Sequence, residues 1–352
     1  MHLVTRRGWM TLAWALAGAM LGLGWGWAGA AEAVRGSESG SGGTLLVYCG
    51  RKLSFIEPLA KEFEKETGVK VKFSMGDTAQ LALKLKEEGA KSPADVFWAQ
   101  DAGALGDVAK AGLLAPLPKD VLERVPAEQR TPSGLWVGIS GRARVLAYSP
   151  QRVKAEALPK HIADLSGAAW KGRVGWAPTN ASFQAFVTAM RLKWGEDKAK
   201  AWLLSMKANG TRSYPNNVAI LKAIADGEID LGLPNHYYLL QTKAKDPGFP
   251  VAQTFFEAGD VGNLVNLSGA GVVKSSAHRA DAERFIAFLL SKRAQGDFAE
   301  KLYEYPMVDD VVVSSAAVSQ AELRKLIPDV NLSDLDDLPG TLKLLKATVL
   351  SE

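Results

Sequence analysis

Strand-like and helix-like segments alternate along the first part of this chain, and that order limits the folds it can adopt. The short apolar or alternating runs TLLVY (44–48), VKVKF (69–73) and ADVFWA (94–99) are separated by segments of helical periodicity at 54–68 and 76–89. Apolar residues that recur three and four positions apart indicate a helix, whereas short apolar or alternating runs indicate strands. A strand, helix, strand, helix, strand order favours a parallel sheet with helices on its faces. The predicted fold class is therefore α/β.

The same alternation continues through most of the sequence, which has 352 residues and is long enough for two domains. No Pro- or Gly-rich linker separates two halves, so we expect the strand-like segments 136–149 and 263–274 to cross between two α/β lobes and to form their hinge. A ligand cleft would then lie between the lobes, near the carboxyl ends of strands. The predicted division is 44–142 with 269–320 for lobe 1, 143–268 for lobe 2, and 321–352 for a C-terminal helical segment.

The amino terminus has the pattern of a secretory signal peptide. Arg6 and Arg7 precede an uncharged apolar run, residues 11–30, that ends in small residues typical of a cleavage site. The run is also about long enough to span a bilayer, so an uncleaved anchor is the alternative. The paired arginines resemble a twin-arginine export signal. We predict a signal peptide at 1–30, a flexible leader at 31–43, and a periplasmic or otherwise extracytoplasmic protein.

Charge and motif content argue against several classes of protein. The net charge of +4 gives no indication of nucleic-acid binding. The sequence has no G-x-S-x-G elbow, Walker loop, dinucleotide fingerprint or H-E-x-x-H motif, so a secreted hydrolase or transferase has no support and we expect no enzyme. Cys49 is the only cysteine, and we expect it to be a small buried residue rather than a reactive thiol.

Two tyrosines stand side by side in PNHYYL (234–239), directly after a predicted strand. Adjacent residues of a helix lie about 100° apart, so Tyr237 and Tyr238 can converge on one point in front of the helix. Tyr148 ends the strand-like segment RARVLAYSP. A phenolate is a hard anionic oxygen ligand, which suits ferric iron better than zinc or copper. Packing of the pair with one hydroxyl in water is the alternative.

A series of segments in order along the chain carries a family resemblance. They are VYCGRK, GDTAQLALKLKEEG, SPADVFWAQDAGALG, GRARVLAYSP, WKGRVGWAPTNASFQAFVTAMR, PNNVAILKAIADGEIDLGLPNHYYL, NLSGAGVVKSS and YEYPMV. With them the chain resembles the ferric-ion-binding members of the bacterial extracellular solute-binding proteins, the receptors of ABC-type iron importers. The resemblance implies a periplasmic binding protein-like fold whose two lobes close on iron. It also implies a monomeric receptor that delivers the ion to an inner-membrane permease.

The resemblance assigns the two tyrosines of PNHYYL, Tyr237 and Tyr238, as iron ligands. Some family members add a His after the first strand or a Glu after the DVF strand, where this sequence has Arg51 and Gln100. The branch without these two ligands employs a third tyrosine, and Tyr148 stands at the matching position. The implied metal site is therefore Tyr148, Tyr237 and Tyr238.

Family members commonly complete such a site with a small anion, here expected to be carbonate, bicarbonate or phosphate. We expect Arg51 and Arg142 to hold it, because a planar guanidinium can grip an oxyanion with two hydrogen bonds. A surface or interlobe salt bridge is the alternative role for either arginine. Backbone amides at helix starts offer a second set of donors, around Asn180, Ser182 and Asn217.

Two further ligand candidates and one further function remain open. His236 directly precedes the tyrosine pair, and Gln100 occupies the position of the missing Glu. A receptor of the same fold for an anion or a small organic solute, such as thiamine, a polyamine or a phosphonate, is the alternative function.

Overall fold

The computed structural model of this chain describes residues 43–309, 311 and 318–350. The predicted signal peptide, and the predicted leader up to residue 42, lie outside the described residues. Within the described ranges no helix combines the length and the apolarity that crossing a membrane requires.

The larger of two β-sheets has seven strands among the described residues. These strands are β1 (Thr44–Cys49), β2 (Lys70–Met75), β3 (Val96–Ala99), β4 (Leu114–Ala115), β5 (Val137–Ala143), β11 (Val265–Val273) and β12 (Tyr305–Pro306). The spatial order is β12-β5-β11-β3-β1-β2, with β4 beside β11. β1 pairs in parallel with β2 and β3, as predicted, whereas β11 runs antiparallel to β3 and β5.

The smaller sheet has five strands in the described part of the chain, in the order β10-β6-β9-β7-β8. They are β6 (Leu146–Tyr148), β7 (Val174–Trp176), β8 (Arg212–Ser213), β9 (Leu231–Gly232) and β10 (Ala252–Thr254). β7 is parallel to β8 and β9, and β6 is antiparallel to β9 and β10. We call the parts built on the two sheets the larger and the smaller lobe.

Helices follow the strands of both sheets, as the alternating sequence pattern predicts. The α-helices of the described residues are α1 (Leu53–Thr67), α2 (Thr78–Glu88), α3 (Ala102–Lys110), α4 (Lys119–Leu122), α5 (Ala181–Trp194), α6 (Glu196–Ala208), α7 (Asn217–Ala225), α8 (His236–Lys245), α9 (Arg279–Leu289), α10 (Lys292–Lys301), α11 (Gln320–Leu326) and α12 (Leu338–Thr348). α1 buries the predicted apolar face and ends at Gly68, whose φ of 75° suits glycine. Asp77 caps α2 by accepting hydrogen bonds from the first free amides.

Three apolar cores stabilise the two lobes. One core packs under the larger sheet, and it includes Cys49, whose thiol is buried so that its pKa rises to about 12. This confirms the predicted buried, unreactive role of that cysteine. The other two cores cover opposite faces of the smaller sheet, because Leu146 packs in one of them and the next residue, Ala147, packs in the other.

The hinge lies where β5 leaves the larger sheet and β6 enters the smaller one. Only Arg144 and Val145 separate the two strands, and their backbone amides donate to Leu264 O and Pro234 O. The second crossing lies beside the first, since Val265 at the start of β11 pairs with Ala143. The boundary predicted between residues 268 and 269 falls inside β11, which pairs in the larger sheet along its length and changes register at that point.

The C-terminal segment, predicted to be helical, spans both lobes. Leu323 of α11 packs in the core of the larger lobe, whereas Leu344 and Leu345 of α12 pack in the smaller lobe. Between them the chain lies directly against α3, because a β-carbon on Gly106 would come within 2.5 Å of Ser333 O. This segment is therefore a third connection between the lobes.

Candidate functional site

A cavity of about 420 Å³ lies between the two lobes and is surrounded by helix starts. The starts of α2 and α3 reach it from the larger lobe, and the starts of α5 and α8 reach it from the smaller lobe. Unpaired amides at a helix start favour negative charge in front of them. The side chains around the cavity that matter for its chemistry are those of Gln100, Asp101, Arg142, Asn180, Ser182, Tyr237 and Tyr238.

The tyrosine pair occupies the first turn of α8, as predicted, and both phenols line the cavity. Their rings stack with centroids 4.1 Å apart and an interplanar angle of 30°. Burial raises the pKa of Tyr237 well above its ordinary value, and the proximity of Tyr238 raises it further, against the opposing effect of Arg142. In the absence of a cation Tyr237 therefore keeps its proton at neutral pH.

Tyr148 is not brought to this cavity, contrary to the expectation from the sequence. It pairs with Leu231, whereas Arg144, four residues earlier, is bridged to Asn235 beside the tyrosine pair. Four residues of extended chain span about 13 Å. The Tyr148 side chain packs with the core on one face of the smaller sheet, and Tyr238 packs with the core on the other face. The predicted three-tyrosine site is therefore wrong in its third member.

Arg142, at the end of β5, does line the cavity. Its Nη1 donates to Gln100 Oε1 at 2.9 Å, and its Nε has no hydrogen-bond partner among the described residues. The side chain is close enough to Tyr237 to oppose the rise in the pKa of that phenol. Arg142 thus lies in the cavity wall, and its role as an anion donor stays a prediction.

Arg144, which the sequence reasoning missed, is a buried cation without an acidic partner in the described part of the chain. Its Nη1 donates to Leu233 O at 2.5 Å and its Nη2 to Ser182 Oγ at 3.2 Å. Burial lowers its pKa to about 9, although Tyr238 and Tyr237 act in the opposite direction. Side chains alternate between the two faces of a strand, so the sequence GRAR would have placed Arg144 on the same face as Arg142.

Arg51 is engaged elsewhere and does not line the cavity. Its Nη2 lies 2.8 Å from Glu304 Oε2, and both residues are almost fully buried. Burial opposes ionisation of Glu304, but Arg51 and Arg142 outweigh it and hold the pKa of that carboxyl below its ordinary value. The predicted role of Arg51 as an anion donor is not supported, and its ion pair is buried within the larger lobe rather than at the surface or between the lobes.

His236 has no free ring nitrogen for a ligand. Its Nδ1 accepts from Ala143 N at 3.1 Å, and its Nε2 lies 2.8 Å from Tyr303 O. Burial lowers its pKa to about 4, so the ring is neutral at ordinary pH. The imidazole fixes the start of α8 to the hinge, so His236 is not available as a ligand.

The three helix-start candidates divide into two groups. Asn180 Oδ1 accepts from Ser182 N at 3.0 Å and from Ser182 Oγ at 2.6 Å, and both residues line the cavity. Asn217 also begins a helix, α7, but it is buried outside this cavity, and its side-chain oxygen and nitrogen lack partners among the described residues. Of the two helix starts predicted to hold the anion, the start of α5 lines the cavity and the start of α7 does not.

Gln100 and Asp101 are two of the larger lobe's oxygen-bearing side chains in the cavity wall, which also includes Asp77 and Asp107. Gln100 is brought there as predicted, with its Oε1 held by Arg142. Asp101, which was missed, caps α3 by accepting from Ala104 N at 2.9 Å, and burial raises the pKa of its carboxyl. In the described ranges no cluster of three or more His, Cys, Asp or Glu could hold a metal. The described cavity wall therefore offers a cation two phenols and separate carboxylates, without a carboxylate cluster.

Comparison with known sequences identifies similar proteins along most of the chain. Residues 91–328 match the family described as bacterial extracellular solute-binding protein. The major ferric iron-binding protein of Neisseria meningitidis serogroup B is 34% identical over 310 residues, which are 86% of this chain and 92% of that protein. The Fe(3+)-binding periplasmic protein of Serratia marcescens is 34% identical over 83% of both chains.

Solved structures show the same similarity in three dimensions. Iron-bound HitA from Pseudomonas aeruginosa superposes with a TM-score of 0.79 and 38% identity, over 87% of this chain and 99% of that one. A Trichodesmium protein in complex with iron and citrate gives a TM-score of 0.76 and 32% identity over the same shares of the two chains.

Proposed function

Because the chain belongs to the family of bacterial extracellular solute-binding proteins, we propose that it captures ferric iron and delivers it to the permease of an ABC importer. The family consists of solute receptors rather than enzymes, and the fold is the periplasmic binding protein-like fold predicted from the sequence. Two relatives named as ferric iron-binding proteins support iron as the solute. We place the protein in the periplasm or an equivalent extracytoplasmic space, as a monomer.

The observation that carries the proposal is the stacked pair Tyr237 and Tyr238 at a helix start inside the interlobe cavity. A trivalent cation favours ionised phenols, so its binding would displace protons that the free protein retains. The raised pKa of Tyr237 makes this release a property of iron binding rather than of the free protein. Hard phenolate oxygens favour ferric iron over softer divalent metals.

The cations around the pair support a companion anion, and of the residues predicted to hold it Arg142, Asn180 and Ser182 are kept and Arg144 is added. Arg144 has no acidic partner among the described residues, and Arg142 has an unused Nε. Ser182 and Asn180 at the start of α5 add hydrogen-bonding groups. We propose that carbonate, bicarbonate or phosphate binds beside the iron on these groups. Arg51 takes no part, because Glu304 already neutralises it.

The proposed ligand set is therefore Tyr237, Tyr238 and the anion, with Gln100 and Asp101 as further candidate oxygen ligands in the cavity wall. Tyr148 is left out, since it packs on the other face of the smaller sheet. The proposed site therefore differs from a three-phenolate site in one residue, Tyr148, whose role can be tested by substitution.

Ferric salt added to the purified protein with bicarbonate or phosphate should produce a visible tyrosinate-to-iron absorption band and release protons. Tyr238→Phe should lose most of the band and bind iron at least tenfold more weakly. Tyr148→Phe is the matched control and should keep both. A colourless wild type, or a Tyr238→Phe variant with unchanged iron affinity, would contradict the proposal, and loss of the band in Tyr148→Phe would restore the third tyrosine.

A receptor for an anionic organic solute such as a phosphonate is the second candidate, favoured by Arg142 and the helix starts that line the same cavity. Native mass spectrometry of the isolated protein distinguishes the two functions. A retained organic mass that iron does not displace would favour the second candidate.

A further inference from the structure

Helix α8, which carries the tyrosine pair, is attached to both lobes. Tyr238 and Leu239 pack with a core on one face of the smaller sheet. The first residue of the helix, His236, instead contacts β5 and the segment 302–305, which leads from α10 into β12 of the larger sheet. The start of α8 therefore lies at the junction of the lobes, and contacts with the larger lobe help to set where the phenols point.

His236 uses both ring nitrogens, and its hydrogen bonds fix the tautomer. Its Nε2 lies 2.8 Å from Tyr303 O, which can only accept, so Nε2 carries the ring proton. The ring is neutral, which leaves Nδ1 to accept from Ala143 N at 3.1 Å. The imidazole thus links α8 to two separate backbone groups of the larger lobe.

Two further contacts hold α8 against the segment 302–305. The rings of His236 and Tyr305 lie 4.7 Å apart between centroids and are tilted by 32°. Gln241 Nε2, farther along the helix, donates to Leu302 O at 3.2 Å. Contacts at two levels of a helix fix its rotation about its own axis as well as its position. The direction of the phenols follows from that rotation, because adjacent helix residues keep an offset of about 100°.

The carbonyl that accepts from His236 belongs to a residue with an uncommon backbone conformation. Tyr303 has a φ of 59°, and in the described ranges it is the one residue other than glycine with a positive φ. Its successor is held on both sides, since Glu304 N donates to Phe298 O at 3.0 Å and the Glu304 carboxylate pairs with Arg51. Glycine would adopt the same backbone conformation without steric cost.

We propose that His236 and Tyr303 are positioning residues for the tyrosine pair. Tyr303 O orients the imidazole, and the imidazole orients the start of α8 and with it both phenols. The inference rests on the proposed function, since it concerns how tightly the phenols bind ferric iron. Ligands that are held in place before the ion arrives lose less conformational freedom on binding. Disturbing this link should therefore weaken iron binding although no ligand has been removed.

The test compares substitutions that preserve or disturb the Tyr303 carbonyl. Tyr303→Gly permits the left-handed backbone and should bind ferric iron within about twofold of the wild type. Tyr303→Val, whose branched β-carbon disfavours a positive φ, should bind it about tenfold more weakly. His236→Gln removes the rigid ring between Ala143 N and Tyr303 O and should also lose about tenfold. Iron affinity is measured on the purified proteins with bicarbonate, by competition with a chelator.

The visible tyrosinate-to-iron band distinguishes positioning from general destabilisation. At saturating iron, Tyr303→Val and His236→Gln should give a weaker band and release fewer protons per bound ion, because the phenols no longer converge on it. Phe63→Leu is the control, since Phe63 is buried in the core of the larger lobe and does not line the interlobe cavity. This variant should unfold at a lower temperature and keep the band and the iron affinity of the wild type.

The inference would be overturned, with the proposed function left standing, if Tyr303→Val and His236→Gln both kept the affinity and the band of the wild type. An equal loss in Tyr303→Gly and Tyr303→Val would also overturn it, because the side chain rather than the carbonyl would then matter. A wild type that binds no iron would overturn the proposed function and the inference with it. If Tyr303→Val does not fold, His236→Gln and Tyr303→Gly decide by the same criteria.

Discussion

Replacing Glu304 with Gln should strongly destabilise the protein, because the residue is buried and forms an ion pair with Arg51. Glu304 and Arg51 are both about 3% exposed in their side chains, and the variant leaves Arg51 buried without its counter-charge. It also removes the charge that accepts from Ser140 Oγ. Breaking a buried ion pair from one side typically costs ~3–5 kcal/mol of unfolding free energy. In a chain of this length that corresponds to a fall of ~5–10 °C in unfolding temperature.

Calorimetry and urea unfolding of Glu304→Gln measure this loss. Glu57→Gln is the matched control, because Glu57 pairs with Lys61 at 3.0 Å on the surface with side chains 49% and 68% exposed. Exposed pairs of this kind contribute about 0–1 kcal/mol. The double variant Arg51→Met with Glu304→Gln should recover part of the loss, since no uncompensated charge remains.

The loss should also depend on pH. The pKa of Glu304 is lower in the folded protein than in the unfolded chain. Its ionisation therefore contributes stability that is fully present above the unfolded pKa of about 4.3 and is lost as the pH falls through the folded pKa. The difference between wild type and Glu304→Gln should shrink on acidification below about pH 4. A variant within about 1 kcal/mol of the wild type at pH 7 would refute the reasoning.

Two further predictions concern the hinge and the C-terminal segment. The pKa of His236 is lowered to about 4, so the wild type should lose up to ~3 kcal/mol of stability as the pH falls from about 6.5 to 4. Urea unfolding of His236→Gln should lack this pH dependence. An equal pH dependence in both proteins would exclude His236 as its source. Gly106→Ala should destabilise by ~1–3 kcal/mol, because its β-carbon would lie 2.5 Å from Ser333 O. Gly296→Ala in α10, with open space around it, should instead stabilise by ~0.5–1 kcal/mol in the same thermal unfolding assay; equal effects of the two substitutions would contradict the close packing of the C-terminal segment on α3.

Local patterns in the sequence were sufficient for the fold class and for the tyrosine pair. The amphipathic face of α1, the cap at Asp77 and the start of α8 each depend on residues within one or two turns. The segment 136–149 was expected to cross between lobes, and it forms β5 and β6, one in each sheet. These features follow from periodicity and capping, which need no knowledge of distant contacts.

The failures at the site have a common physical cause. The position of Tyr148 depends on how β6 is registered against β9 and on which face of the smaller sheet it occupies, and neither can be read from a strand-like run. Arg51 is neutralised by a residue 253 positions away. Asn217 does begin a helix, but a helix start need not face the cavity. In each of these residues, contacts between segments far apart in the sequence determine where the side chain lies.

The C-terminal segment restricts how the two lobes can move. The two strand crossings lie side by side, so on their own they would permit one lobe to rotate and shift relative to the other about a single narrow hinge. The third connection is anchored in both cores and held on each side by an ion pair, Lys110 with Asp336 and Arg191 with Asp337. A body fastened at two separated places retains little freedom except rotation about the line that joins them. We therefore expect the C-terminal segment to restrict relative motion of the lobes mainly to rotation about that line.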